Sequence, residues 1–462
     1  MGQTAILLLS LLYFVNTSVY ILIEYFMIKR RKGISVIFFV RILYILIYGF
    51  IPALVHYNYY LTGETVSKIS YSANGTGQLY FLYILSIIGY AALNIGYALS
   101  NKGKNSPANT PGGNPDNKTD DISIHKLMTA GIITFAIGFL SYYLWSKAYG
   151  FPFGIFKYAN LLRMGFVPAD NPFSFMKYFS TATMFSSFLF FAILHKKDIN
   201  KIIVFILFAL SGFWSVVYLL ANDGRMSFIY FFLVFILYRI FWQNTAKQKK
   251  AFLKIMIWMA VAFVAMALSD WIMFFLRNGE QLKTGGMPTD VFRLLREELG
   301  FTIQSGQTAL TALADGLAGN RFPMDILSGL LAFLPSSFRP ESIISTSQYN
   351  SAFIGMDPSV GETPTDLISM CIYDLGIIGV FILPAVFGWL CRMADNYFAY
   401  RKGNNYYDLL FVIISLYLAR FITYADPSNF VHNTFFLLIG IVVVRFTKIK
   451  KTSRVYLKSL ER

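Results

Sequence analysis

Apolar residues run along this chain in long blocks rather than in alternation. Clear blocks cover 4–27, 34–55, 79–99, 202–220, 251–276, 375–391 and 434–445. More interrupted ones cover 127–146, 178–194, 226–241 and 407–424. A helix rises ~1.5 Å per residue, so ~20 apolar residues cross the hydrocarbon of a bilayer. A backbone in lipid must satisfy its own polar groups, which makes each block a helix. The pattern predicts an all-α polytopic membrane protein with about eleven transmembrane helices. The first block has no basic leader and no small-x-small cleavage site, and Lys29-Arg30-Arg31-Lys32 follows it directly. It reads as a retained helix, not a signal peptide.

The connections between blocks are unequal. Residues 103–120 are rich in Asn, Gly and Pro and read as a flexible linker. The stretch from Arg277 to Thr365 is 89 residues long, and a loop of that length is usually functional. Val291, Leu294, Leu295, Leu299 and Ile303 recur at helical spacing and predict a helix within 289–318. Pro323 and Pro335 enclose the apolar stretch Met324–Leu334, too short to span and read as an interfacial or re-entrant helix. The expected organisation is helices 1–8 over 1–276, a large loop over 277–365, and helices 9–11 with a basic tail over 366–462.

Composition supports lipid as the solvent. Only 14% of residues are charged and 56% are hydrophobic, whereas soluble domains carry about 25% charge. The net charge of +16 would fit a nucleic-acid binder, but its distribution does not. Segments 28–33, 100–127, 195–201, 239–254, 392–402 and 445–462 hold 26 of the 40 basic residues, and their side of the chain holds 8 of the 24 acids. That alternation follows the positive-inside rule, with the N-terminus outside, the C-terminus inside and the 277–365 loop outside. The basic tail then touches anionic lipid, and no nucleic-acid partner is expected. Cys371 and Cys391 lie on one apolar segment, ~30 Å apart if helical, too far for a disulfide.

Several chemistries lack their motif. There is no Gly-x-Ser-x-Gly elbow, no phosphate loop, no His-x-x-x-His pattern and no outer Asp-x-Asp. No cofactor and no metal are expected. The outer connections instead carry arginines, the side chain suited to bidentate phosphate recognition. Arg163 lies in an aromatic loop, and Arg225 follows an Asn-Asp-Gly turn. Arg293 and Arg296 share a helix face; Arg277, Arg321 and Arg339 stand at hinges of the long loop; Arg420 lies about a turn inside a helix ending near Tyr424. Each also has a plain reading as an interfacial anchor. Glu362, Asp366, Asp374 and Asp426 fall at the outer boundary and are candidates for a base, or for helix caps, as Asp366 looks. His432 is an interfacial histidine or a base. Tyr349, among other loop aromatics, can stack on a sugar or simply belong to the aromatic belt.

The order of these features resembles the bacterial repeat-unit polymerases of the Wzy type. The resemblance rests on the aromatic outer loop, Gly224-Arg225 between two spans, and Phe333-Leu334-Pro335 with Arg339-Pro340 behind it. It rests also on Gly361-Glu362-Thr363-Pro364-Thr365 before a span containing Leu375-Gly376-Ile377-Ile378-Gly379. The resemblance implies a metal-independent, multi-helix glycosyltransferase of GT-C-like architecture in a bacterial inner membrane. It would join undecaprenyl-diphosphate-linked repeat units for O-antigen, capsule or exopolysaccharide, alongside a flippase and a chain-length regulator. Arg225 and Arg339 carry over from it as catalytic, with Glu362 and Asp426 as the candidate bases at the outer boundary. Arg163, Arg277, Arg293, Arg296, Arg321, Arg420, Tyr349 and His432 would bind substrate.

Two other readings compete. An O-antigen ligase shares the architecture but is expected to carry a histidine in its long loop, and 277–365 has none. A transporter or flippase usually has short loops and paired mid-membrane charges.

Overall fold

The computed structural model describes residues 3–31, 34–66, 68–100, 122–163, 171–196, 199–222, 225–243, 299–332, 342–356, 363–399 and 404–448, with isolated positions between. Among these the secondary structure is helical, with no strand. The longer helices are α1 Gln3–Arg31, α2 Val36–Thr62, α3 Ala73–Leu99, α4 Ile124–Ser146 and α5 Met176–Leu194. Then come α6 Lys201–Ala221, α7 Arg225–Gln243, α8 Phe301–Ala314, α9 Phe322–Leu331 and α10 Thr346–Phe353. The chain ends in α11 Leu367–Ala399, α12 Asn405–Arg420 and α13 Pro427–Lys448.

Eight of the described helices, α1 to α6, α11 and α13, are long and apolar enough to cross a membrane. The described part of the chain is therefore all-helical, that of a polytopic membrane protein. The expected block 226–241 forms α7, whose apolar part Met226–Ile240 is shorter. Block 251–276, the 103–120 linker and the tail beyond 448 lie largely or wholly outside the described residues. α12 stops at Arg420, a turn earlier than the sequence pattern implies. Leu367 N–H donates to Ile422 O and Ala425 N–H to Thr365 O, so residues 422–425 pair with the chain entering α11 instead of continuing the helix.

The chain divides into two compact units. The first comprises Met1–Thr110, Ile240–Tyr400 and Phe411–Val431. Its central helix is α2, buried along most of its length, with Tyr44 and Tyr48 inside. α3 and α11 press backbone to backbone. A Cβ on Gly96 would run into the Ala385 carbonyl, and one on Gly388 into that of Leu93. Small residues at such crossings let helices in lipid gain close van der Waals contact. α1 turns Leu8, Leu11, Val15, Leu22 and Phe26 outward. A helix with apolar residues outside and Ser10, Thr17 and Glu24 buried is inverted relative to water-soluble packing and fits lipid.

The second unit comprises Pro111–Arg239, Arg401–Leu410 and His432–Arg462. α4, α5 and α6 form its core around Phe185, Phe188 and Phe190. α6 likewise exposes Ile202, Phe205, Ile206 and Phe213.

Candidate functional site

The apolar stretch between Pro323 and Pro335 forms a helix, α9. Pro323 stands in its first turn, where a missing N–H costs nothing. Its faces are inverted: Met324, Ile326, Leu327 and Leu330 are exposed, whereas Asp325 and Ser328 are buried. The polar side of α9 faces the protein, and its apolar side is exposed.

Arg321 precedes the helix. Its guanidinium lies 3.9 Å from the centre of the Tyr349 ring. One terminal nitrogen, Nη2, donates to Ile344 O at 3.0 Å and meets Asp325 Oδ1 at 3.5 Å. Nε is buried and has no hydrogen-bond partner among the described residues. Tyr349 is held by its hydroxyl, which donates to Leu317 O at 2.6 Å. α10, which carries Tyr349, starts with a capping box between Ser345 and Gln348. Cation, ring and cap therefore fix one another.

Asp325 is 1% exposed. Its Oδ2 accepts from the Thr346 hydroxyl, and its carboxyl shares a hydrogen bond with that of Asp374. Two carboxyls can share a hydrogen bond only with a proton between them. Burial pushes the Asp325 carboxyl above the usual carboxylate range; contacts with Asp374, Thr346 and Arg321 oppose that rise. Asp374 is 2% exposed, and its Oδ1 is buried without a donor among the described residues. The Ser347 hydroxyl, one residue from Thr346, is also buried without a partner.

The backbone at Asp374 is broken. Leu375 leaves helical geometry, and Gly376 adopts φ 65° and ψ −154°, a conformation that glycine tolerates and other residues rarely do. The break frees the Tyr373 carbonyl, which accepts from Gly319 N–H at 2.8 Å and Arg321 N–H at 3.4 Å. The segment before α9 is thereby fixed to the interrupted helix. On the other side, Asn350 accepts from the Tyr373 hydroxyl at 2.9 Å and donates to Ser305 Oγ at 3.0 Å.

Asp426 completes the group. Its Oδ1 accepts from Ser428 N–H at 2.8 Å and Asn429 N–H at 3.1 Å, and its Oδ2 from Ser347 N–H at 3.1 Å. It caps α13 and ties α10 to that cap. Asp366 plays the cap role the sequence implied: it accepts from Ile368 and Ser369 N–H, and from the Tyr48 hydroxyl at 2.5 Å.

Of the residues singled out from sequence, Arg321, Tyr349, Asp374 and Asp426 come together here. Arg420 lies elsewhere in the same unit, 5.5 Å over the Tyr424 ring, which in turn tilts against Phe301. Arg296 precedes α8 by a turn, its carbonyl accepting from Gly300 N–H. His432 belongs to the second unit and stacks on Tyr178 at 4.2 Å. Arg225 opens α7 and Arg163 closes a short helix, Ala159–Arg163, but their side chains are outside the description. Arg277, Arg293, Arg339 and Glu362 lie outside the described residues altogether. Asp325, Thr346, Ser347 and Asn350 were missed. Asp325 had a signal: it is the lone charge inside the apolar stretch Met324–Leu334, and a charge there needs a buried partner.

No protein-family model, no curated protein and no solved structure matches the chain.

Proposed function

We propose that the protein is a lipid-linked oligosaccharide polymerase, transferring a growing glycan from undecaprenyl diphosphate to a hydroxyl of a second lipid-linked repeat unit. In this reading it spans a bacterial inner membrane about eleven times with the 277–365 loop outside. The observation that carries the reading is the polar cluster of Arg321, Asp325 and Asp374 under an amphipathic helix whose apolar side is exposed. Such a site lets a lipid-anchored diphosphate approach from the bilayer while its sugar reaches carboxyls and a stacked cation. Departure of a diphosphate needs cations and positioning more than a metal. Arg225 and Arg339 serve as the phosphate clamp. Arg321 and Tyr349 hold the sugar.

The break at Gly376 beside a buried carboxyl supports a second reading, a proton-linked polysaccharide transporter, because interrupted helices line ion and substrate sites in such proteins. A deletion strain separates the two. A missing polymerase leaves single repeat units on the final carrier and no ladder; a missing flippase leaves no surface repeat; a missing ligase leaves long chains on the lipid. Either of the latter results overturns the polymerase reading. The orientation is tested with an impermeant maleimide. Cysteine at Ala314, an exposed end of α8, reacts in intact spheroplasts, and cysteine at Gly112 does not.

A further inference from the structure

We infer that α9 is a lid, latched to the interrupted helix α11 by the carboxyl pair of Asp325 and Asp374, and that loss of the proton between them frees it. α9 would move in this way whatever the reaction beneath it.

Few polar contacts hold α9 down. Among the described residues, the side chains of Phe322–Leu331 form hydrogen bonds to other elements only at Asp325. Its Oδ2 accepts from Thr346 on α10, its carboxyl meets that of Asp374 on α11, and Arg321 just ahead of the helix reaches its Oδ1 at 3.5 Å. The rest of the inner side packs by shape: a Cβ on Gly329 would come 2.8 Å from that of Pro427. The other side, with Met324, Ile326, Leu327 and Leu330, is exposed. The chain ahead of α9 has a place to turn. Gly316 and Gly319 take φ of 73° and 98°, a region open to glycine. Gly319 N–H is fastened to the Tyr373 carbonyl at 2.8 Å. The approach is thus anchored to α11, and α9 beyond it can swing as a unit.

The latch itself is a shared proton. Two carboxyls in contact hold one between them, with Asp374 as donor and Asp325 as acceptor. The charged and titratable groups facing the pair are Arg321 from the start of α9, Tyr349 from α10, Tyr373 from α11 and Asp426 from the start of α13. Without the proton, two carboxylates meet beside a third, and like charges that close cannot all stay ionised and buried. The closed form therefore binds the proton more tightly than an open form whose carboxyls meet water. Its advantage is full below the ordinary carboxylate range. It shrinks as pH rises and is gone above about pH 9, where buried carboxyls of this kind ionise. Opening uncovers the Asp374 carboxyl and the Thr346 hydroxyl, both now buried against Asp325.

The test uses full-length protein in lipid nanodiscs, with nitroxides on Leu330→Cys of α9 and Ile378→Cys of α11. Both positions are exposed, by 64% and 70%, whereas Cys371 and Cys391 are fully buried and take no label. A second pair, on Ile84→Cys of α3 and Val386→Cys of α11, reports on the bundle, since both positions are also exposed. Pulsed electron paramagnetic resonance reads the distances from about pH 6 to about pH 10. The first pair should give one narrow distance at the low end and a broad, longer one at the high end, while the second pair stays constant. Asp374→Asn should keep the narrow distance throughout, because its amide donates to Asp325 as the acid does and does not ionise in this range. Asp374→Ala should be broad already at the low end. A first-pair distance that is the same across the range overturns the latch, a result that needs no substitution in the pair. So does an Asp374→Asn protein that opens as the unaltered one does. A high-pH change shared by both pairs is unfolding of the bundle and overturns it as well.

Discussion

Among the described residues, the first unit holds two groups of buried and half-buried charges, and they are built differently. One joins α1, α2, α3 and α11 at the end of α11 away from the site. Arg41 meets Glu24 at 3.3 Å, and the Tyr90 hydroxyl donates to the same Glu24 oxygen at 3.1 Å. Arg392 donates to the Tyr97 hydroxyl at 3.2 Å, which donates to Asp395 at 2.8 Å, and Val36 N–H fills the other Asp395 oxygen. Among the described residues, two guanidiniums thus face two carboxylates. The other group is the candidate site, where, among the described residues, the guanidinium of Arg321 alone faces Asp325, Asp374 and Asp426. Asp374 and Asp395 sit on one helix, roughly 30 Å apart at ~1.5 Å per residue. The first group is charge-matched, which is what buried ions require to be tolerated at all. The second is not, among the described residues, and its surplus acid and the buried, unpartnered Arg321 Nε are the marks of a candidate ligand site.

The comparison can be broken by substitution. Arg41→Ala has the largest expected effect on stability. It strands Glu24 without its cation and should cost about 3–5 kcal/mol, read as loss of folded protein in the membrane and a lowered Tm in detergent. Adding Glu24→Gln should recover part of that loss. A small effect of Arg41→Ala would mean that the matched group is not structural. Arg225→Ala and Arg339→Ala probe the phosphate clamp. Each should lower polymerisation by on the order of tenfold to hundredfold at normal protein level, and lysine should rescue only in part because it lacks the planar fork. Normal ladders from both would make these residues interfacial anchors.

Arg321→Ala sharpens the contrast directly. It should lower extension by about tenfold and leave Tm nearly unchanged, the opposite of Arg41→Ala. A large fall in Tm with unchanged extension of the surviving protein would move Arg321 into the structural group. The smallest effect is expected of Gly376→Ala, where φ is +65°. A Cβ there costs about 1–2 kcal/mol, and any further loss of extension reports how much the site depends on the helix break.

Much of the fold was legible because lipid writes long apolar blocks into the chain. Blocks 4–27, 34–55 and 79–99 became α1, α2 and α3 with ends shifted by a few residues. α12 was misjudged at its end, since residues 422–425 still look apolar but pair with 365–367 instead. The site was legible in part. Arg321, Tyr349 and Asp426 were named for arginine chemistry, sugar stacking and position at a helix start. Asp374 was named only as one of several boundary carboxylates. Asp325 was read as part of an apolar stretch, because its partners Thr346 and Asp374 are far away in sequence.

The sequence by itself determined that the chain is helical, membrane-spanning and charged asymmetrically along its length. Those properties depend on composition and local order, which lipid and backbone hydrogen bonding read directly. Only the tertiary structure decided which acids are satisfied. Whether a carboxyl is a cap, a structural partner or half of an acid pair depends on which groups the folded chain brings to it. Asp426 and Asp374 look alike in sequence, yet three N–H groups close on the first, and the second meets another carboxyl, that of Asp325.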